Sequence, residues 1–240
     1  MNLVALQTKT TNDFKANLKN LKELINSCDD GSFILAPEVC LTGFAYDRMD
    51  ESAEFTQKAI KKLKKYSENK TIAITLIEKE DIEFYNTLYI FHNKKIVHTQ
   101  SKHRLFPLGD EPDYFTKGKP DNMKIIDIDG IKVATLICFE IRFPKYWLKV
   151  LGADLILNPS MWGVKRKGHF ETMTKALAVA NQCYVLTANG ADASMAKGSG
   201  IITPWGDEHR DDSKEKIEHT MKLSEIKKIR KYIDIGLKKK

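Results

Sequence analysis

The chain has 240 residues, of which 42% are apolar and 30% are charged, so it can bury the core of one α/β domain over residues 1–240 and is not a disordered chain. Its first residues lack the features of a secretory signal, and no run reaches the ~18 apolar residues of a membrane helix, so we expect a cytosolic protein. The formal charge of +7 would suit nucleic acid, but the lysines concentrate in 57–70 and 222–240, which read as amphipathic helices with solvated faces.

The first elements are a strand and a helix. The apolar run 2-NLVALQT predicts a short buried strand. A helix follows in 12-NDFKANLKNLKELINSC, whose apolar residues recur at three or four positions, and we assign its N-cap to Thr11 or Asn12.

The strand-helix unit then repeats before the pattern changes. The run 32-SFILAP predicts a strand that delivers Glu38 just past its end, and a helix covers roughly residues 50–66. Alternation of apolar and polar residues then predicts three strands with a hairpin turn at Asn93. These strands are 71-TIAITLIEK, 84-FYNTLYIFHN and 94-KKIVHTQ.

The second half begins with 123-MKIIDID and 131-IKVATLIC, which flank a turn at Gly130, and the second strand ends at Cys138. Helix, strand, helix and strand follow in the order 144-PKYWLKVLG, 154-DLILNPS, 169-HFETMTKALAVANQ and 183-CYVLTANG. A hairpin is predicted from 197-KGSGIITPWGD to 217-IEHTMKL. The terminal helix places Ile226, Ile229 and Ile233 on its apolar face.

Glu38 and Cys138 each follow an apolar strand, which is where ligands bind in α/β proteins. A cysteine there becomes a nucleophile if a base takes its proton, and a carboxylate such as Glu38, with Glu111 as a second acid, could serve. Lys102, at the end of a strand, and the backbone N–H of Phe139 could hold an oxyanion.

Each of these residues also has a simpler interpretation. Cys138 could be a small core residue, Glu38 a loop acid and Lys102 a surface charge. A Cys-His pair is open, although none of the six histidines lies in a protease-like signature. The four cysteines lie far apart without a C-x-x-C pair, so neither a zinc site nor a disulfide framework is suggested.

Three segments, 36-APEVCLTGF, 102-KHRLFPLGDE and 135-TLICFEIRFP, closely resemble in order and spacing the signature segments of the nitrilase, or carbon-nitrogen hydrolase, superfamily. The resemblance implies a Glu-Lys-Cys triad of Glu38, Lys102 and Cys138. It also implies a second glutamate at Glu111, with the adjacent Asp110 as the alternative. The implied fold is an α/β four-layer αββα sandwich that forms a homodimer or higher oligomer, and the implied chemistry needs no metal and no cofactor.

The resemblance further implies hydrolysis of a C–N bond. The residues after the cysteine and the short lysine-to-glutamate loop resemble the Nit and ω-amidase-like branches, which favours an amidase acting on a small amide that can carry a carboxylate. An N-carbamoyl amide hydrolase and a nitrilase share the triad and stay open. So does a catalytically retired member that acts as a binding module through its basic surface.

Four residues are candidates for contact with substrate. Arg142 could clamp a carboxylate, with a structural salt bridge as an equal alternative. Phe139 follows the nucleophile, and Trp162 and Tyr114 could line the pocket, whereas Trp147 on a predicted helix favours core packing.

Overall fold

Residues 1–237, which the computed structural model describes, form two six-stranded sheets packed face to face, with helices on both outer sides. The expected α/β fold with αββα layers is therefore confirmed. In chain order the strands are β1 (Asn2–Leu6), β2 (Phe33–Leu35), β3 (Thr71–Glu80), β4 (Glu83–His92), β5 (Lys95–Ser101), β6 (Ile126–Ile128), β7 (Ile131–Thr135), β8 (Leu155–Pro159), β9 (Tyr184–Ala188), β10 (Gly200–Ile202), β11 (Glu208–Arg210) and β12 (Lys216–Thr220). The helices are α1 (Phe14–Asn26), α2 (Met49–Tyr66), α3 (Glu111–Tyr114), α4 (Pro144–Lys149), α5 (Lys167–Asn181) and α6 (Leu223–Tyr232).

The order of strands places parallel pairs at the centre of each sheet. The first sheet runs β12-β1-β2-β3-β4-β5 and the second runs β11-β10-β9-β8-β7-β6. Strands β1, β2 and β3 are parallel, as are β7, β8 and β9. Because parallel strands end at one edge of a sheet, the loops after β2 and β7 collect residues at the ends of the central strands. No helix in the described part of the chain is both long and apolar enough to cross a membrane.

The two faces of the first sheet belong to different cores, as the period of two in a strand requires. On β1, Leu3 and Ala5 pack in the core between the sheets, whereas Val4 and Leu6 pack beneath α1 and α2. All four side chains are fully buried. Burial of each leucine or valine contributes about 1.5–3 kcal/mol, so the near-continuous apolar run of β1 reflects burial on both faces.

The N-cap of α1 is Asp13, so its assignment to Thr11 or Asn12 was wrong. The Asp13 carboxylate accepts hydrogen bonds from the backbone N–H groups of Lys15 (2.9 Å) and Ala16 (3.0 Å), which are free donors of the first turn. Thr11 belongs to the preceding turn, where its backbone N–H donates to the Asn17 side chain.

The last hairpin was also predicted incorrectly. Strand β10 pairs with β11, but β12 crosses to the other sheet and pairs antiparallel with β1. The Gln7 side chain donates to the carbonyl oxygens of Asp211 (3.3 Å) and Lys214 (3.0 Å), which fixes the crossing segment. Ile217 of β12 is buried in the core between the sheets, and this burial favours the crossing over a longer hairpin.

The apolar face of the terminal helix is shorter than predicted. Ile226 and Ile229 are buried, but α6 ends at Tyr232, and Ile233 is 48% exposed beyond its end. The segment 222–240 predicted as an amphipathic helix also includes residues 238–240, which lie outside the described residues.

Candidate active site

Two left-handed backbone positions present the acid and the thiol. Cys138 has φ +46°, and Val39, directly after Glu38, has φ +42°. This conformation costs non-glycine residues on the order of 1–3 kcal/mol and persists where the surroundings enforce it. The Val39 N–H donates to the Thr75 hydroxyl (2.7 Å), and the Glu38 N–H donates to the carbonyl of Ser160 (3.1 Å), so strand β3 of the first sheet and the segment after β8 of the second sheet hold this turn.

Lys102, which directly follows β5, lies at the centre of the site. Its side chain is fully buried, and its Nζ lies 2.7 Å from Glu38 Oε1 and 2.7 Å from Glu111 Oε1. Burial alone would lower the pKa of Lys102, but Glu38, Cys138 and Glu111 together outweigh burial and raise the pKa above its usual value. The group is therefore a permanent ammonium at neutral pH.

Glu111 is the second acid of this cluster, and Asp110 is not. The backbone at Asp110 is left-handed (φ +55°), its side chain is exposed, and the next residue turns inward at the start of α3. Glu111 Oε2 accepts the N–H of Phe106 (3.0 Å) while Oε1 contacts Lys102. Burial raises the pKa of Glu111, with Lys102 opposing the rise and Glu38 adding to it.

Cys138 is buried next to this cluster, with 8% of its surface exposed. Burial raises the pKa of its thiol well above the ordinary value, and the charge of Glu38 raises it further. The Lys102 ammonium lowers the pKa, Glu111 raises it and the backbone N–H of Met161 lowers it. The resting form is therefore a neutral thiol that needs a base.

The two oxygens of Glu38 have different surroundings. Oε1 accepts from Lys102 and from the Asn86 side chain (2.8 Å). Oε2 is buried and has no hydrogen-bond partner in the described part of the chain. Asn86 was not among the residues predicted from the sequence. A signal was present, because a buried asparagine in a strand needs a hydrogen-bond partner.

A small pocket of about 230 Å³ opens beside the thiol. Its lining residues are Phe106, Cys138, Phe139, Arg142, Met161, Trp162 and Arg166. The structure thus brings the candidates Phe139, Arg142 and Trp162 to the thiol. Tyr114 does not line this pocket: its ring stacks on Tyr46 with 4.0 Å between centroids and is 42% exposed, so its contact with substrate stays a prediction.

Two guanidinium groups of the pocket wall have no carboxylate partner within 4 Å among residues 1–237. Arg142 lies over the Trp162 ring at 4.5 Å and contacts His169 Nδ1 at 3.1 Å, and Arg166 lies over the Phe106 ring at 5.1 Å. Burial lowers the pKa of Arg142, and the charge of Arg166 lowers it further, while Cys138 opposes. The structural salt bridge considered for Arg142 is absent from the described residues. Arg166, in the basic segment 163-GVKRKG, was not predicted from the sequence as a pocket residue.

A cluster of buried ionisable side chains at the strand ends of an αββα sandwich is typical of an α/β enzyme. The sequence model of the carbon-nitrogen hydrolase family matches residues 3–231, which is nearly the whole chain. The chain belongs to the carbon-nitrogen hydrolase family, and the resemblance of its three signature segments is confirmed.

Named relatives and solved structures agree with this assignment. The 2-oxoglutaramate amidase of Bacillus subtilis is 32% identical over 184 residues, which cover 72% of this chain and 70% of that protein. Omega-amidase YafV of Escherichia coli is 25% identical over 201 residues, which cover 81% and 78%. The crystal structure of Nit3 from Saccharomyces cerevisiae, a nitrilase superfamily member, has a TM-score of 0.86 at 21% identity and covers 98% of this chain and 95% of that chain, which shows the shared fold.

Proposed function

We propose that this carbon-nitrogen hydrolase is an amidase that converts a small carboxylate-bearing amide to an acid and ammonia through a thioester on Cys138. One observation carries the proposal: the Lys102 ammonium holds Glu38 and Glu111 at 2.7 Å each beside a buried thiol. The relatives that share at least a quarter of their aligned residues with this chain include a 2-oxoglutaramate amidase and an omega-amidase, which supports an amide substrate.

In the first half-reaction, Glu38 takes the thiol proton on Oε2 as the sulfur of Cys138 attacks the amide carbonyl carbon. The carbonyl oxygen becomes an oxyanion held by the Lys102 ammonium and the N–H of Phe139. Donors of this kind contribute about 3–4 kcal/mol each when they are fixed in advance. The C–N bond then breaks, the proton on Glu38 passes to the leaving nitrogen, and ammonia departs from a thioester.

In the second half-reaction, water replaces ammonia. Glu38 takes a proton from the water as its oxygen attacks the thioester carbonyl, and the same donors hold the new oxyanion. Collapse breaks the C–S bond, and the proton on Glu38 returns to the sulfur of Cys138. The raised pKa of Cys138 favours this return, because the resting enzyme holds the thiol and not the thiolate.

The residues of the pocket wall support the proposal that the substrate carries a carboxylate. Arg142 and Arg166 both face the space next to Cys138, and neither is neutralised by a carboxylate within the described chain. Burial, and then the charge of Arg166, lower the pKa of Arg142, and a bound carboxylate would offset both effects on the guanidinium. The volume of about 230 Å³ limits the substrate to a small molecule.

The test is ammonia release from a panel of ω-amides of keto and amino dicarboxylates, neutral amides of equal length, N-carbamoyl amines and nitriles. We expect turnover of the carboxylate-bearing amides by the wild type and none above background by Cys138→Ala. Glu38→Gln should lose activity by at least about 100-fold, because it removes the base. Equal turnover by Cys138→Ala would refute the thioester scheme.

The same panel addresses the remaining alternatives. Ammonia release from carbamoyl compounds alone, or from nitriles alone, would show that the substrate is of that class and not an amide. The proposed triad would stay the same. Silence throughout, with Cys138 no faster in alkylation than the buried Cys28, Cys40 and Cys183, would favour a retired enzyme acting as a binding module.

We further propose that two copies associate, as the resemblance predicts, and that the protein acts in the cytosol. Exposed apolar side chains of α5, α6 and the loop between β10 and β11 lie together: the Trp205 and Tyr232 rings are 6.1 Å apart, and Val179 lies against Gly206. A second copy of the chain would bury this patch. Light scattering should give a dimer for the wild type and a monomer for Trp205→Glu, and a monomeric wild type would contradict the proposal.

A further inference from the structure

Glu140 is a fully buried carboxylate that lies two residues after the thiol and takes no part in the proton transfers described above. Its Oε2 accepts the backbone N–H of Ile137 (2.7 Å), and its own N–H donates to the Ile137 carbonyl (3.0 Å). These two bonds close a turn whose inner residues are Cys138 and Phe139. One oxygen of Glu140 therefore fixes the segment that carries both the nucleophile and an oxyanion donor.

The other oxygen of Glu140 reaches a different part of the chain. Oε1 accepts the N–H of His103 (2.7 Å) and lies 3.4 Å from the N–H of Arg104. These are the two residues that directly follow Lys102. A single carboxylate thus joins the Lys102 segment to the Cys138 segment, which are 36 residues apart in sequence.

We propose that Glu140 is a positioning residue that sets the distance between the Lys102 ammonium and the Phe139 N–H, so that both reach the same oxyanion. This inference rests on the proposed function, since it assigns the two donors to one oxyanion. The donors come from separate segments, and the described contacts of Glu140 bridge those segments directly. A misplacement of about 1 Å in such a site can cost about 100-fold in rate.

The bridge depends on the ionised form of Glu140, because only a carboxylate accepts hydrogen bonds on both oxygens. Burial raises the pKa of Glu140 to about 7, against the opposing effects of the Ile137 and His103 N–H groups, the Lys102 charge and the Arg104 N–H. The side chains of His103 and Arg104 point to other partners, the Gly118 carbonyl and the Tyr146 hydroxyl. As the pH falls through about 7, a proton on Glu140 turns one acceptor into a donor that faces an N–H group.

The experiment compares kcat, KM and their pH profiles for wild type, Glu140→Gln, Glu140→Asp and the control Glu54→Gln, which alters an exposed residue of α2. Glu140→Gln should lower kcat by about 10- to 100-fold with a change in KM below about threefold, since the misplaced donors act on an oxyanion that forms only after the substrate has bound. The rate of Cys138 alkylation should fall in parallel. Glu140→Asp keeps the charge and should lose less, and the acidic limb of kcat near pH 7 should be missing in Glu140→Gln.

A Glu140→Gln variant that unfolds cooperatively yet keeps the wild-type kcat and acidic limb would overturn the inference. If that variant does not fold, hydrogen exchange of the Ile137 and His103 amides in the wild type decides: after correction for intrinsic rates, protection should fall between about pH 8 and about pH 6, and constant protection would overturn the proposal. Hydrogen exchange needs no substrate. Its failure is therefore distinct from failure of the proposed function, which Cys138→Ala reports.

Discussion

The cations of this site fall into two regions that the fold treats differently. Lys102 is fully buried, and each of its two carboxylate partners lies 2.7 Å away. Arg142 and Arg166 lie against aromatic rings at the pocket wall, and neither has a carboxylate partner among the described residues. The Lys102 cluster thus has its counter-charges within the protein, whereas under the proposed function the carboxylate of the substrate would supply the counter-charge to the two arginines.

The proposed function gives each region a different task, which would account for this difference. A group that stabilises a transient charge must be fixed before the reaction, because reorientation during the reaction would cost free energy. A group that selects a substrate must keep hydrogen-bond donors unsatisfied by the protein, so that the correct ligand satisfies them. The ring faces hold the guanidiniums in place, and apart from the Arg142 nitrogen that contacts His169, their N–H groups are left for a ligand under the proposed function.

The largest effect should come from Lys102→Met. The substitution leaves Glu38 and Glu111 buried without a cation, so the free energy of unfolding at neutral pH should fall by about 3–5 kcal/mol. Ammonia release should fall by at least about 100-fold. Urea unfolding followed by tryptophan fluorescence measures the first change, and Lys58→Met on the exposed face of α2 is the control.

The pH dependence of this loss has a definite sign. The pKa of Glu111 is already raised in the folded protein, and loss of the ammonium raises it further. The folded variant then binds a proton that the unfolded chain releases, so its stability increases as the pH falls through the raised pKa. A deficit that grew towards low pH would show that Lys102 is not the partner that keeps Glu111 ionised.

An intermediate effect is expected for Arg142→Gln and Arg166→Gln. A hydrogen bond to a charged group contributes about 1.5–3 kcal/mol, so kcat/KM for a carboxylate-bearing amide should fall about 10- to 100-fold in each variant. A neutral amide of equal length should be turned over almost unchanged. Steady-state kinetics on the two amides measures the selectivity, and Arg48→Gln, whose guanidinium already pairs with Glu51 at 2.7 Å, is the control.

Equal losses on both amides would break the contrast between the two regions. The arginines would then act on the shape of the site and not on the substrate carboxylate.

The smallest effect should come from Tyr114→Ala. Tyr114 stacks on Tyr46 outside the Cys138 pocket, so kcat/KM should change by less than about twofold. Phe139→Ala, which alters a residue of the pocket itself, should raise KM by more. A KM effect of Tyr114→Ala as large as that of Phe139→Ala would show that α3 contacts the substrate.

The sequence predicted the strand ends well because their signal is local. An apolar run that stops at a polar residue marks where a buried strand emerges, and this placed Glu38 after β2 and Cys138 shortly after β7. The hairpin turn at Asn93 was equally local, and the structure shows left-handed φ values at Asn93 and Lys94. The signature segments extended this reading to the family.

Long-range pairings were not predictable in the same way. Burial of Ile217 between the sheets favours the pairing of β12 with β1. The sequence alone is equally compatible with a hairpin, in which β12 would pair with the strand that precedes it. Arg166 was missed for the same reason, because irregular segments decide which side chains face this pocket and such segments carry no periodic signal.

The sequence by itself therefore determined the family, the chemistry of the residues that end the strands, and the αββα class. Only the tertiary structure decided that Glu111 and not Asp110 contacts Lys102, and that Asn86 donates to Glu38 Oε1 while Oε2 has no hydrogen-bond partner among the described residues. It also decided that Glu140 joins the Lys102 segment to the Cys138 segment. The physical reason is that each of these contacts joins residues brought together by folding. Their geometry, and with it their charge state, exists only once water has been excluded from the space between the sheets.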